Sequence, residues 1–253
     1  MFFWKKKKKV VLRCFTTNVG LPELFPLVKL SKALPEWWHE VPAYLSDEDA
    51  TPKGQMRHVA MPKKANKSIK HCYAIQKLWE NSIAIPAWSD LSMAITPEGQ
   101  SFGIAPNNKS PGNQHRPPQY PGMLGPEWVN WKTNSPWLIY TDQPVSFMLT
   151  DPFYHNQDHR WITMPGEIEF FYQHHSNLNL VFRRDEKEVM KYEFSAGDIL
   201  AYLTPCFDEE IEIICETITE QEKEKLEWAK KISFTPSRFM RNNKIGGCPF
   251  GKD

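Results

Sequence analysis

The chain lacks most of the features that would announce a function. No apolar run approaches the roughly 20 residues needed to cross a bilayer as a helix, so no membrane span is expected. Charge of one sign is missing too: 31 Lys and Arg against 30 Asp and Glu leave a formal net charge of +1. That balance argues against wholesale phosphate neutralisation, and nucleic acid is not an expected partner. The five cysteines, Cys14, Cys72, Cys206, Cys215 and Cys248, contain no C-x-x-C pair and are odd in number. A zinc site built on thiolates and a secreted disulfide framework are both disfavoured, and a reducing cytoplasm is the simpler compartment. No G-x-S-x-G, glycine-rich phosphate loop or Cys/His pair in a recognisable context occurs, so nucleophilic catalysis has little footing.

What is present is proline and tryptophan. Pro outnumbers Gly by 21 to 12, beside 10 Trp, which favours extended segments and rigid turns over long helices. "VVLRCFTT" (10–17) predicts a first strand. Mixed 3–4 spacing of Leu24, Leu27, Val28, Leu30, Leu34, Trp37 and Trp38, punctuated by Pro26 and Pro35, predicts short helices. A helical turn is expected over 73–79, then strands over 83–85 and 91–95. Loops are expected over the polar 46–67 and the Gly/Pro/Asn/Gln-rich 97–125.

Beyond that loop the chain reads as strand after strand: "WVNWKT", "PWLIYT", "VSFMLT", "EIEFFYQ", "LNLVFRR", "EVMKYEF", "ILAYLTP" and "EIEIICETI". In "NLNLVF", Leu178, Leu180 and Phe182 share one face. Thr219 followed by Glu222 forms a capping box opening a C-terminal helix, with Leu226 and Ala229 on one side. The expected architecture is mainly β: an antiparallel β-sandwich, β-clip or jelly-roll-like domain with short N-terminal helices and one C-terminal helix. Its parts would be a basic arm (1–9), one β-rich domain (10–217), and the helix with an extended tail (218–253). The arm, "MFFWKKKKK", places its lysines after the apolar tip, the wrong order for a secretory signal, and reads as a solvated lead into the first strand.

Histidines gather over 155–175. His155, Asp158 and one of His174 or His175 could supply two imidazoles and a carboxylate to iron or manganese, the donor set of a jelly-roll oxygenase. Adjacent His174 and His175 point to opposite sides of a strand, so only one could reach a common ion, and hydrogen-bonded or surface histidines are the plainer reading. Glu210, Glu212 and Glu216 fall on one strand face and read as solvated. Ser195–Asp198 reads as a turn. The tryptophans read as core or interface, since basic residues do not alternate with them.

At "AIPAWSDL" (84–91), "SPWLIYT" (135–141), "MPGEIEF…NLNLVF" (164–182) and "SAGDILAYLTP" (195–205), the chain resembles a family of uncharacterised proteins of tailed bacteriophages. That likeness covers most of residues 5–205. It implies a virion protein, present in the host cytoplasm during assembly, with other phage structural proteins and further copies of itself as partners. "PGEIEFFY…NLNLVF…AGDILAYL" also resembles the β-clip motifs of deoxyuridine triphosphatases. That likeness places Gly166, Ile168 and Tyr172 on the nucleotide-pocket motif, with Tyr172 where uracil stacks. Glu169 takes the place of the aspartate that activates water, with magnesium implied as cofactor; Gly197, Asp198, Ile199 and Ala201 fall on the later turn and strand. Gln173 and His174 stand where that family has arginine-glycine, and "MLTDPFY" where it has its phosphate-binding motif. The expectation is therefore a structural component without catalytic residue, metal or nucleotide. A nucleotide-binding protein or hydrolase and a metal-dependent oxygenase are the alternatives.

Overall fold

The computed structural model describes residues 9–45, 67–104, 112–115, 119, 122, 125–172 and 174–227. The chain opens with strand β1 (Lys9–Thr16), helix α1 (Leu21–Leu24), strand β2 (Val28–Lys29), a 3-10 turn (Leu30–Lys32) and helix α2 (Glu36–Glu40). Helix α3 (Tyr73–Asn81) leads into β3 (Ile83–Pro86), β4 (Leu91–Ile95), β5 (Ser101–Ile104) and β6 (Gly112–Gln114). Then come β7 (Trp128–Thr133), β8 (Leu138–Thr141), β9 (Phe147–Thr150), β10 (Trp161–Thr163) and β11 (Gly166–Ile168). The last elements are β12 (Asn179–Arg183), β13 (Met190–Phe194), β14 (Ile199–Pro205), β15 (Glu210–Thr217) and helix α4 (Glu220–Leu226). The protein is mainly β, with antiparallel pairing dominant, as the alternating strands require. Among the described residues no helix is long and apolar enough to cross a membrane.

The contacts divide into two compact units, residues 1–28 with 83–253, and Lys29–Ser82. The smaller unit is helical. Trp38 and Trp79 meet edge to face at 5.3 Å, and Lys70 Nζ sits 5.9 Å from the Trp38 ring. The expected loop over 46–67 falls outside the described residues except for Lys67, which bridges to Tyr44.

The larger unit holds the sheets. β10-β12-β7-β6 and β13-β4-β5 meet through aromatic side chains, and β11-β9-β14-β3 belong to a further sheet. Strand alternation explains the first pairing. Leu91, Met93 and Ile95 of β4 and Tyr192 and Phe194 of β13 turn inward, while Lys191 and Glu193 turn out. From the facing sheet Trp161 meets Phe194 edge to face at 5.1 Å, and Phe182 meets Tyr192 at 4.8 Å. Leu178, Leu180 and Phe182 are buried together, as their spacing predicts.

β1 lies between β8, antiparallel, and β15, parallel, so the first described strand is sealed by the last. Leu12, Cys14 and Ile211 face the main core. On the opposite face Phe15, Leu138 and Tyr140 pack with Leu226 of α4. The expected capping box is present, with Thr219 Oγ1 accepting from the Glu222 amide and Glu222 accepting from the Thr219 amide at 2.8 Å. Glu210, Glu212 and Glu216 lie on the exposed side of β15, where Glu210 pairs with Lys9 at 3.6 Å and Glu216 with Arg13 at 3.5 Å.

Two expectations are corrected. Among the described residues of 97–125 there are two strands: β5 hairpins back onto β4, and β6 pairs with β7. Gln114 ties the two together, its Oε1 accepting from the Ser101 amide at 3.1 Å while its Nε2 donates to the Gly99 carbonyl at 2.8 Å. "EIEFFYQ" is not one strand either. β11 ends at Ile168, and the Tyr172 amide donates to the Glu169 carbonyl at 3.1 Å, closing a turn that buries Phe170.

Candidate functional site

Polar groups converge where β9 ends, on the loop leading to β10. Pro152 opens a tight turn in which the amides of His155 and Asn156 both donate to its carbonyl, at 2.8 and 3.0 Å. His159 adopts φ 49°, a left-handed conformation uncommon outside glycine. The loop is braced by Asn156 Nδ2 donating to the Trp161 carbonyl at 2.6 Å, and by Asp158, which accepts from the Arg160 amide and from its guanidinium at 2.8 Å.

This bracing aims His155 inward, where Nδ1 lies 2.6 Å from the hydroxyl of Tyr202 on β14. Burial pushes the Tyr202 phenol well above its ordinary range, so it remains a neutral hydroxyl. Asp151 sits alongside and accepts from the Thr163 amide at 2.7 Å. Half-burial raises its carboxyl above the ordinary range, against the pull of that amide. His155 and Tyr202 thus share a short hydrogen bond, and the Asp151 carboxyl acts on the same Tyr202 phenol. Phe153, stacked on His159 at 4.7 Å, stands in solvent beside it. Nothing local in the sequence marks Tyr202: in "ILAYLTP" it reads as one more strand aromatic, and its partner lies 47 residues away.

His174 is elsewhere, on the chain that crosses β8. Its ring stacks on Tyr140 at 3.7 Å, its Nδ1 lies 3.0 Å from the Phe170 carbonyl, and its own carbonyl accepts from the Ile139 amide at 2.7 Å. Burial lowers its pKa to about 4, so the imidazole is neutral near pH 7. His175 points the other way, its Nε2 3.6 Å from a Glu227 carboxylate oxygen. The structure therefore does not bring His155, Asp158 and His174 together. Among the described residues no three His, Cys, Asp or Glu side chains are placed to share an ion.

The residues matched to the deoxyuridine-triphosphatase motif are spread along one sheet. Gly166 and Ile168 lie on edge strand β11, and Gly197 to Ala201 on and before β14, with β9 between. A side chain at Gly166 would meet nothing within 4 Å, so no close approach requires glycine there. Glu169 and Tyr172 occupy the two ends of the turn after β11, and Tyr172 meets Phe171 edge to face at 5.0 Å. Both turn residues make further contacts within the chain.

The Ser195–Asp198 turn is as composition predicts. Gly197 has φ 96°, the Asp198 amide donates to the Ser195 carbonyl, and the Asp198 carboxylate accepts from the Ser195 amide at 2.8 Å. This turn locks onto the one after β3, with Gly197 donating to the Ala87 carbonyl at 2.8 Å and Ala87 to the Asp198 carbonyl at 2.7 Å. Between the facing sheets, a void of about 10 Å³ is lined by Leu91, Met93, Trp131, Leu180, Phe182 and Phe194. That is about the room one water needs, in apolar surroundings that offer it little.

No family model, curated protein or solved structure matches this chain.

Proposed function

We propose that the protein is a non-enzymatic structural or assembly component of a bacteriophage particle, residing in the virion and, during assembly, in the host cytoplasm. One observation supports this reading: stretches that bear the resemblance to phage proteins are spent on fastening strands and turns to one another. "AIPAWSDL" and "SAGDILAYLTP" grip each other through the paired turns at Ala87 and Gly197 and through β3 and β14. "SPWLIYT" is fastened to the approach to β12 by Ser135 Oγ, 2.8 Å from Ser176 Oγ, and by the Ser135 amide donating to Asn177 at 3.0 Å. Residues selected for chemistry are more often placed at a cleft than spent on joining strands.

Apolar side chains left in water support a life among partners. Val19, just before α1, is 91% exposed, Leu24 at the end of α1 is 71% exposed, and Phe102 on edge strand β5 is 57% exposed. These are surfaces for further copies of the chain or for other phage structural proteins. The reading needs no cofactor. Magnesium belongs only to the alternative of a nucleotide hydrolase acting through Glu169 and Tyr172, and iron only to that of an oxygenase.

The test is mass spectrometry of purified phage particles, paired with a native mass spectrum of the isolated protein. The expected result is a fixed copy number in particles and a homo-oligomer carrying no retained metal or nucleotide. Absence from particles overturns the reading, as does a stoichiometric transition metal or deoxynucleotide retained by the pure protein.

A further inference from the structure

Cys14 and Cys215 stand 201 positions apart in the chain; the sheet puts them side by side. β1 and β15 run parallel in a register that sets Cys14 directly opposite Cys215. Neighbouring strands lie roughly 4.8 Å apart, inside the roughly 4.4–6.8 Å that Cα atoms span across a disulfide. Both residues turn to the core face of the sheet, where Cys14 is fully buried and Cys215 half-buried. The two thiols are near enough to perturb each other's ionisation, and the Cys215 thiol donates to the Leu27 carbonyl at 3.8 Å. Both are free thiols in the structure.

We infer that Cys14 and Cys215 are a disulfide-forming pair, converted by a low-molecular-weight disulfide into a covalent bond between the first described strand and the last. The roles within the pair differ. Cys215 is the more accessible sulfur, and the S–H of Cys14 beside it holds its thiol below the ordinary range. Burial pushes the Cys14 thiol up. Cys215 is therefore the attacking thiolate and Cys14 the resolving thiol. In the first step Cys215 Sγ bonds to one sulfur of the small disulfide. The S–S bond breaks, and the departing thiolate takes up the proton that Cys215 gave to solvent. In the second step Cys14, deprotonated, attacks Cys215 Sγ and expels the other small thiolate, which is protonated in turn. The protein loses two protons and two electrons, and the small disulfide, taking them up, becomes two thiols.

The full chain, reduced and then freed of reductant, is incubated with glutathione disulfide at mildly alkaline pH, alkylated, and digested without reduction. The expected product is a crosslinked peptide pair containing Cys14 and Cys215, two hydrogens lighter than the separate peptides. A higher denaturation midpoint that a dithiol reverses should accompany it. In Cys14→Ser the reaction stops at a glutathione adduct on Cys215. Should that variant not fold, the peptide map of the unaltered chain decides alone. Alkylation of both cysteines after incubation overturns the inference. So does a glutathione adduct persisting on Cys215 of the unaltered chain, or crosslinking only through Cys72, Cys206 or Cys248.

Discussion

The two halves of the core hold together by different means. Between β10-β12-β7-β6 and β13-β4-β5 the contact is aromatic, Trp161, Phe182, Tyr192 and Phe194 meeting at edge-to-face and tilted angles. In the terminal sheet, β15-β1-β8, the same chain uses a thiol pair, rim ion pairs, and a neutral histidine stacked on Tyr140 beneath α4. Aromatic interdigitation is largely indifferent to pH and redox state, because nothing in it titrates over the working range. The terminal sheet can be retuned by both. The lesson is that resistance and responsiveness have been assigned to different layers of one core.

Phe182→Ala should break the aromatic half. Phe182 is wholly buried, touches Tyr192 and Phe194, and borders a void that the truncation would enlarge. A loss of about 3–5 kcal/mol is expected by urea denaturation. A loss under ~1 kcal/mol would show that the two sheets are not bound by this cluster.

Acid should loosen the terminal half. The His174 imidazole titrates near 6.5 unfolded and about 4 folded, so between those values the unfolded chain holds more protons. Stability then rises with pH in that window and is lost as pH falls through it, by up to about 3 kcal/mol for this group. His174→Asn should flatten that part of the stability-against-pH curve, and equal slopes in both proteins would exclude the assignment.

Gly197→Ala probes the seam between turns. The residue has φ 96°, and an added methyl carbon would lie 3.4 Å from the Phe25 ring. A cost of about 1–2 kcal/mol is expected from the left-handed backbone alone. Thr219→Ala, which removes the cap of α4, should cost about 1 kcal/mol. It should also speed amide exchange at Glu222 while leaving exchange in β12 and β13 unchanged.

Local signals were legible in the sequence and long-range ones were not. The capping box of Thr219 and Glu222, the turn at Gly197 and the buried face of Leu178, Leu180 and Phe182 need only neighbouring residues to specify them, and the structure holds all three. "EIEFFYQ" misleads because β-propensity extends through Phe170 to Tyr172, whereas burying Phe170 requires the chain to turn after Ile168. β5 and β6 are too short and too polar to rise above the loop composition around them. Partners such as Tyr202 for His155, or Cys215 for Cys14, depend on strand register across the whole chain, which no local pattern carries.

The parallel pairing of β1 with β15 also sets a schedule. β1 leaves the ribosome 201 residues ahead of the strand that covers one of its edges. At ordinary elongation rates of roughly 5–20 residues per second, that edge waits about 10–40 s with its main-chain donors and acceptors open. The newborn chain must spend that interval shielded by a chaperone or by transient contacts of its own. Loss of β15 through a premature stop would leave the edge bare for good, and such a product should go to inclusion bodies rather than persist as a smaller folded protein.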